Sequence, residues 1–456
     1  MSLFKKDENK LIWKNKTEIL MILPWGEDSL RIKATNNTGF TETPGALLEP
    51  EVTEPEIKIE EKQATIINGN IKAVVESSGR LSFYRVNDNS LLLAETNISV
   101  EYPHLLPLNR EYLPREDGLN KIHVRFNPNG DEKIYGLGQH RHGQFDQKGC
   151  VIEQAQRNCE VCIPFLVSNH QYGFLWNHPG IGRVELAKNG TNWVAEAARQ
   201  IDYYITTGNS FHEIMEHYTE ATGRAPVLPE WAAGFWQSKL RYLSQDEFLE
   251  IAKEYKKREL PLSVMVIDFY HWTGQGNYEF DEKHWPDSEG MVNELEEMGI
   301  KTMVSIWPTV NRLAKKGSVW DKRNLIVRTK RGDDGLLPFP DNCGTDGPLY
   351  FYDATNPEAR EYIWELVRSG YYDKGIKVFW LDCCEPDISP RNFDNIRYSL
   401  GDGLEVNNIY PLLNQKAFYD GLKSEGEEEI ITLCRSGWAG SQRYGAAIWS
   451  GDIKST

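Results

Sequence analysis

The chain has 456 residues, 40% of them hydrophobic, which is too long for one ordinary domain and enough to build a large core. It carries 51 Lys and Arg against 67 Asp and Glu, so its net charge is -16. This charge repels nucleic acid and anionic membrane surfaces and favours an uncharged ligand. The composition predicts two or more domains, with neither a nucleic-acid nor a membrane partner.

The N-terminal stretch MSLFKKDENKLIW lacks the apolar core of a signal peptide, and no run of 18 apolar residues occurs in the chain. Its 7 cysteines are an odd number scattered over the sequence, which favours a reducing compartment over a disulfide framework. We therefore predict a cytoplasmic protein. Cys159 and Cys162 form a CxxC without a second pair nearby, so we interpret them as small buried hydrophobic residues and predict no metal site.

Residues 1–228 are predicted to form an N-terminal β-sandwich domain with a linking helix. Residues 30–34 alternate in polarity, Asn68-Gly69 is a hairpin signal, and residues 81–86 form a further strand. Residues 136–141 are turn-rich, and they are interpreted either as part of a loop that reaches a neighbouring site or as an ordinary surface loop.

Ser210 with Glu213 predicts a helix start, and Pro226 and Pro229 mark the domain boundary. From residue 229 to 456 the pattern becomes strand then helix, repeated. The strands are predicted at residues 234–238, 262–268, 302–306, 377–381, 430–434 and 446–449. Repeated β-then-α units favour a parallel sheet closing into an α/β (β/α)8 TIM-type barrel, which here is expected to be incomplete, apparently truncated after about six strands.

Polar residues end four of these apolar strands, namely Asp268, Asp382, Arg435 and Asp452. Such acids can also cap helices or pair with Arg435 as part of the scaffold. A buried strand has no packing use for a terminal carboxylate, however, and catalytic groups of barrels come from the C-terminal ends of the strands. Three acids converging on one face therefore predict a functional site.

Five tryptophans also lie at or just beyond strand ends: Trp236, Trp272, Trp307, Trp380 and Trp449. Indole faces stack on the C–H faces of sugars, although one or two of these side chains are expected to belong to the barrel core. A Gly-rich phosphate loop, HExxH and GxSxG are all absent from the sequence. Together with the carboxylates, the tryptophans favour a carbohydrate pocket.

Two longer stretches are specific. Residues 380–387 read WLDCCEPD, and residues 435–444 read RSGWAGSQRY before the strand end WSGD at 449–452. With residues 229–234, 266–272 and 305–309, they resemble glycoside hydrolase family 31 over nearly the whole chain. Cys383 and Cys384 stand where relatives usually carry other residues, but the spacing of the acids is kept.

The resemblance implies a retaining, exo-acting α-glycosidase that removes a terminal neutral sugar from an oligosaccharide without a cofactor. Asp382 would be the nucleophile and Asp452 the general acid/base. The residues expected to bind substrate are Asp268, Trp272, Trp307, Trp380, Glu385, Arg435 and Trp449.

Within the family the chain looks most like the bacterial α-xylosidases, while α-glucosidase and α-galactosidase activity stay open. A truncated, non-catalytic carbohydrate-binding fragment is the alternative of another class, and homo-oligomerisation is also open. If the barrel is incomplete, the chain alone is expected to be weakly active or inactive. An aldolase-type barrel would need a Schiff-base Lys at a strand end, and none is found there.

Overall fold

The computed structural model describes residues 3–97, 108–332, 336–337, 349–388 and 392–452. Its N-terminal part consists of antiparallel strands: β1 Phe4–Asp7, β2 Lys10–Lys14, β3 Ile19–Pro24, β4 Ser29–Thr35, β5 Glu56–Ile59, β6 Gln63–Asn68, β7 Ile71–Glu76, β8 Leu81–Arg85, β9 Leu91–Ala94, β10 Arg110–Pro114, β11 Asn120–Phe126, β12 Ile134–Gln139, β13 Val151–Gln154, β14 Val161–Ser168, β15 Tyr172–Trp176, β16 Gly182–Ala187, β17 Gly190–Ala198 and β18 Ile201–Thr207.

These strands form three sheets that share one apolar core. The orders are β1-β2-β3-β4-β18-β15-β14-β12, β10-β11-β17-β16-β13 and β5-β6-β7-β8-β9. Buried and partly exposed residues alternate along β6 and β7, as expected for strands with one face against a core. The predicted sandwich-like architecture and the hairpin at Asn68-Gly69 are confirmed, because Asn68 pairs with Ile71 across that turn.

The turn predicted at residues 136–141 is wrong over its first four residues, which lie in β12. The glycines that suggested a turn sit at a shift of register between β12 and β14, and both Gly136 and Gly138 have positive φ values, 98° and 97°. A bulge of this kind bends a strand without ending it. The glycines therefore mark a β-bulge within β12 and not the predicted turn.

The second part alternates strands and helices. Its strands are β19 Trp236–Gln237, β20 Val264–Ile267, β21 Lys301–Ile306, β22 Thr309–Asn311, β23 Arg328–Thr329, β24 Leu336–Leu337, β25 Leu349–Phe351, β26 Val378–Leu381, β27 Ile396–Arg397, β28 Thr432–Cys434 and β29 Ala446–Ile448. The helices of the chain are α1 Phe211–Thr222, α2 Gln245–Lys257, α3 Ser288–Glu297, α4 Gly317–Lys322, α5 Pro357–Gly370, α6 Gly403–Val406 and α7 Tyr410–Ser424.

Side chains cap the starts of several helices, and the helix start predicted at Ser210 is confirmed. The Ser210 hydroxyl accepts a hydrogen bond from the Glu213 N–H at the start of α1, and Asn356 accepts one from Glu358 before Pro357 begins α5. Among the described residues, no helix is both long and apolar enough to cross a membrane. The cytoplasmic location stays a prediction.

Six strands of the second part form one parallel sheet in the order β19-β20-β21-β26-β28-β29. All six were predicted, although β19 is shorter than the predicted residues 234–238. Successive side chains along each strand point to opposite faces of this sheet. On one face, Ile267, Ile306 and Leu381 pack in the large cluster shared with the helices. On the opposite face, which we call the inner face, Val266 and Met303 belong to a separate cluster, the inner cluster.

The two parts are packed together through the segment that follows β28. Trp438, only 1% exposed, lies in a cluster that combines N-terminal residues with residues of α7. The Arg443 guanidinium donates to the carbonyl oxygens of Ala46 at 2.9 Å and Thr222 at 2.7 Å. Much of the RSGWAGSQRY stretch therefore docks the N-terminal part onto the sheet that carries the candidate site. The exact boundary at residue 228 stays a prediction.

The N-terminal part also contacts the second part at Gly180, and we expect Gly180→Ala to destabilise the packing of the two parts. A Cβ at Gly180 would meet the carbonyl oxygens of Leu404 and Glu405, the latter at 2.8 Å, and backbone cannot move aside as a side chain can. Overpacking of this kind costs about 1–3 kcal/mol. The urea midpoint of unfolding should fall, whereas Gly130→Ala, whose Cβ would meet no atom within 4 Å, should leave it unchanged. Equal midpoints for the two variants would contradict the expectation.

Candidate active site

The register of the parallel sheet brings the predicted polar residues together on its inner face. Trp380 is paired with Ser305 and Leu433 on the neighbouring strands. Because side chains alternate along a strand, the next inner positions are two residues further along. Those positions are Trp307, Asp382 and Arg435, with Asp268 and Trp449 at the ends of β20 and β29.

Arg435 forms a bidentate ion pair with Glu385. Its Nε lies 2.7 Å from Oε1 and its Nη2 lies 3.2 Å from Oε2. Glu385 has no exposed surface and Arg435 is 7% exposed, so both charges are removed from water. A planar guanidinium is suited to this arrangement, and each buried charge depends on the other for compensation.

The same guanidinium reaches Asp382, the residue after β26. Arg435 Nη1 lies 3.2 Å from Asp382 Oδ1, which also accepts a hydrogen bond from the Cys383 N–H at 2.9 Å. Burial raises the pKa of Asp382 to about 7, against the lowering effect of Arg435 and with a further raising effect from Glu385. A carboxyl group that titrates near neutrality and has a fixed orientation is typical of a reacting group.

Asp452 contacts the same nitrogen of Arg435 as Asp382 does. Its Oδ2 is 3.4 Å from Arg435 Nη1 and accepts a hydrogen bond from the Asn158 side-chain amide at 2.7 Å. The Asp452 side chain is 69% exposed, in contrast to Asp382. One nitrogen of Arg435 thus contacts both the buried carboxylate of Asp382 and the exposed carboxylate of Asp452.

Asp268 is a third carboxylate in this region. It is 7% exposed and accepts a hydrogen bond from the Phe269 N–H at 2.7 Å. Burial raises its pKa to about 6, the Phe269 N–H lowers it, and the charge of Asp452 adds to the increase. The loop after it is held by His271, whose ring nitrogens contact the Asp268 carbonyl and the Tyr371 hydroxyl, each at 2.9 Å. Burial lowers the pKa of His271 to about 4, so the ring is neutral at pH 7.

Two of the predicted tryptophans form an apolar wall next to these acids. Trp272 and Trp307 cluster with Cys383, and Phe269 and Tyr270 pack against the group. The indole Nε1 of Trp272 is buried and has no hydrogen-bond partner among the described residues.

The remaining tryptophans differ in their surroundings. Trp236 and Trp380 pack in the inner cluster of the sheet with Val266 and Met303, as expected for tryptophans of the barrel core. Trp449 contacts Trp380 edge-on, with ring centroids 5.2 Å apart. The roles of Trp380 and Trp449 in substrate binding stay predictions.

Asn158 and Cys383 were not predicted as site residues. Asn158 lies in a turn of the N-terminal part, and nothing in the local sequence indicates a contact 294 positions away. Cys383 was noted only as a departure from the family pattern, although its place next to Asp382 could have suggested a pocket position. Among the described residues, no cluster of three or more His, Cys, Asp or Glu side chains could hold a metal ion.

Two family models match the chain. The one described as "Glycosyl hydrolases family 31 TIM-barrel domain" covers residues 225–456. The one described as "Glycosyl hydrolase 31 N-terminal galactose mutarotase-like domain" covers residues 20–185. These ranges follow the division into an antiparallel N-terminal part and a parallel second part.

Known proteins extend the match. An uncharacterized family 31 glucosidase of Pseudescherichia vulneris is 43% identical over 100% of the chain and 88% of that protein. An α-xylosidase of Saccharolobus solfataricus is 35% identical over 73% of the chain, which spans 45% of that relative. The crystal structure of a family 31 α-xylosidase from a soil metagenome, complexed with xylose, is 45% identical with a TM-score of 0.95, over 100% of the chain and 68% of that structure. The chain belongs to glycoside hydrolase family 31, a family of glycosidases.

Proposed function

We propose that the chain carries the catalytic residues of a retaining, exo-acting α-xylosidase that removes a terminal α-linked xylose from an oligosaccharide. Asp382 attacks the anomeric carbon, and Asp452 protonates the leaving oxygen and then deprotonates the incoming water. The observation that carries the proposal is the placement of these two carboxylates on one nitrogen of Arg435.

The separation of the two carboxylates supports a retaining mechanism. Asp382 Oδ1 and Asp452 Oδ2 lie 3.2 Å and 3.4 Å from Arg435 Nη1, so the sum of these distances is an upper limit on the separation of these two oxygens. That limit leaves room for the spacing of about 5–5.5 Å found in retaining glycosidases and little room for the wider spacing of inverting ones.

The different environments of the two acids suit their different roles. Asp382 is buried and held by the ion pair with Arg435 and the hydrogen bond from the Cys383 N–H, as a nucleophile that must attack in one direction requires. The Asp452 side chain is 69% exposed among the described residues, so a leaving group and a water molecule can reach it. The ion pair with Glu385 fixes the position of the Arg435 guanidinium, so a positive charge stays close to Asp382.

The choice of xylose is supported by two relatives. The Saccharolobus relative is named an α-xylosidase, and the soil-metagenome structure holds xylose. Two large indole rings, Trp272 and Trp307, cluster next to the proposed nucleophile, and bulky side chains there would favour a sugar without a hydroxymethyl group.

The first prediction of this mechanism concerns Asp382. In the full-length protein, Asp382→Ala removes the nucleophile, so kcat should fall by a factor on the order of 10⁴ to 10⁶. A 5-fluoro-xylosyl fluoride should label the parent protein at Asp382, as peptide mass spectrometry can establish. Asp373→Ala, at an exposed position after α5, is the control and should keep full activity. A label on Asp268 or Glu385 would contradict the assignment.

The pKa of Asp382 gives a second prediction. The nucleophile must be ionised, so kcat/KM should decrease as the pH falls through about 7, where burial places this pKa. Glu385→Gln removes a negative charge that raises the pKa of Asp382, and it frees Arg435 to interact with Asp382. The acid limb of the pH profile should therefore move to lower pH. An unchanged or higher limb would show that another group controls it.

A third prediction concerns the sugar. The full-length protein should hydrolyse 4-nitrophenyl α-xyloside with a kcat/KM at least about tenfold above that for the α-glucoside, equivalent to about 1.4 kcal/mol of transition-state binding. Side-by-side initial rates decide it. A tenfold preference for the glucoside would make the protein an α-glucosidase and leave the mechanism untouched.

A further inference from the structure

A turn of the N-terminal part projects into the candidate active site. It connects β13 to β14, and Arg157 and Glu160 close it with two backbone hydrogen bonds of 3.3 Å and 3.0 Å. Their side chains also form an ion pair at 3.2 Å. Asn158 and Cys159 stand at the tip, with Cys159 at a φ of 67°. Asn158 and Cys159 thus form a tight two-residue turn whose backbone is fixed by hydrogen bonds.

Every second residue leading to this tip contacts the second part of the chain. The Gln154 carbonyl accepts a hydrogen bond from the Asn408 side-chain amide at 2.8 Å. The Gln156 side-chain oxygen accepts one from the hydroxyl of Ser436, the residue after Arg435, at 3.2 Å. The turn is therefore fixed against the second part of the chain before it reaches Asp452.

Asn158 then forms two hydrogen bonds with Asp452. Its Nδ2 donates to the Asp452 carboxylate at 2.7 Å, and its Oδ1 accepts from the Asp452 backbone N–H at 3.3 Å. Only this orientation of the amide pairs a donor with an acceptor at both contacts. Both the side chain and the backbone of Asp452 are thereby held by one residue.

The neighbouring Gly451 fits this contact. A Cβ there would lie 2.6 Å from the Cys159 nitrogen and 3.0 Å from Asn158 Oδ1. The absence of a side chain at Gly451 lets the loop after β29 lie directly on the tip of the turn. Among the described residues, the other group that hydrogen-bonds the Asp452 carboxylate is Arg435, at 3.4 Å.

We infer that Asn158 is a positioning residue for the general acid/base, so that the N-terminal part completes the catalytic apparatus. The inference rests on the proposed function, in which Asp452 donates a proton to the leaving group. Asn158 touches no reacting atom in this scheme. It directs the Asp452 carboxyl group toward the glycosidic oxygen, and its loss should be felt only where a proton must be delivered.

The test uses two leaving groups and the full-length protein. The fluoride ion departs from α-xylosyl fluoride without being protonated. The glucose unit of a xylosyl-glucose disaccharide, in contrast, departs only when its glycosidic oxygen is protonated. Since a positioned general acid contributes about 10²–10⁴-fold, we expect Asn158→Ala to lower kcat/KM about 30-fold on the disaccharide and less than about threefold on the fluoride. Asn158→Asp keeps the size but removes the donor, and it should show the same split.

Asp452→Ala supplies the reference pattern, with a larger loss on the disaccharide and little on the fluoride. Asn169→Ala, in the exposed turn after β14, is the matched control and should change neither substrate. Thermal unfolding of each variant separates lost activity from lost folding.

Each other outcome overturns the inference. Equal losses on both substrates, no loss on either, or failure of both Asn158 variants to fold would assign Asn158 a structural role alone. If Asn158 fails in one of these ways while Asp452→Ala keeps its split, the proposed function stands. A parent protein that hydrolyses no α-glycoside overturns the proposed function and this inference together.

Discussion

The guanidinium of Arg435 is the group on which the candidate site depends. It pairs with the fully buried Glu385 through two nitrogens and directs the third toward Asp382 and Asp452. One cation faces three carboxylates, and Asp268 lies close enough to add to the raised pKa of Asp382. This local excess of negative charge suits a transition state in which positive charge develops on the sugar.

The inner row of the parallel sheet explains why a few strand-end residues could be predicted from sequence. A strand buried on both faces reads as a continuous apolar run, so the polar residue that ends it is visible without any knowledge of its neighbours. Asp268, Asp382 and Arg435 were found this way. Their mutual distances depend on the register between strands, which the sequence of one strand does not contain.

Other features lie beyond sequence reasoning for identifiable reasons. The glycines of β12 signal an irregular backbone but do not distinguish a bulge from a turn. Trp236 lies in a strand and packs in the core of the sheet, whereas Trp272 lies in the loop after β20, so the two look equivalent until the sheet is assembled. Asn158 is an ordinary turn residue by local chemistry, and its partner Asp452 lies in the loop after β29, in the second part of the chain.

The contacts at Gln154, Gln156 and Asn158 also bear on how this protein can be recombined with its relatives. A chimera that exchanged the N-terminal part alone would bring a foreign hairpin against the native loop at Gly451. Since Gln154 and Gln156 fix the turn on one side of the tip, an insertion of one residue between Gln156 and Asn158 would displace Asn158 from Asp452. The hairpin and the loop after β29 are therefore best transferred as one module, even though nearly three hundred residues of sequence separate them.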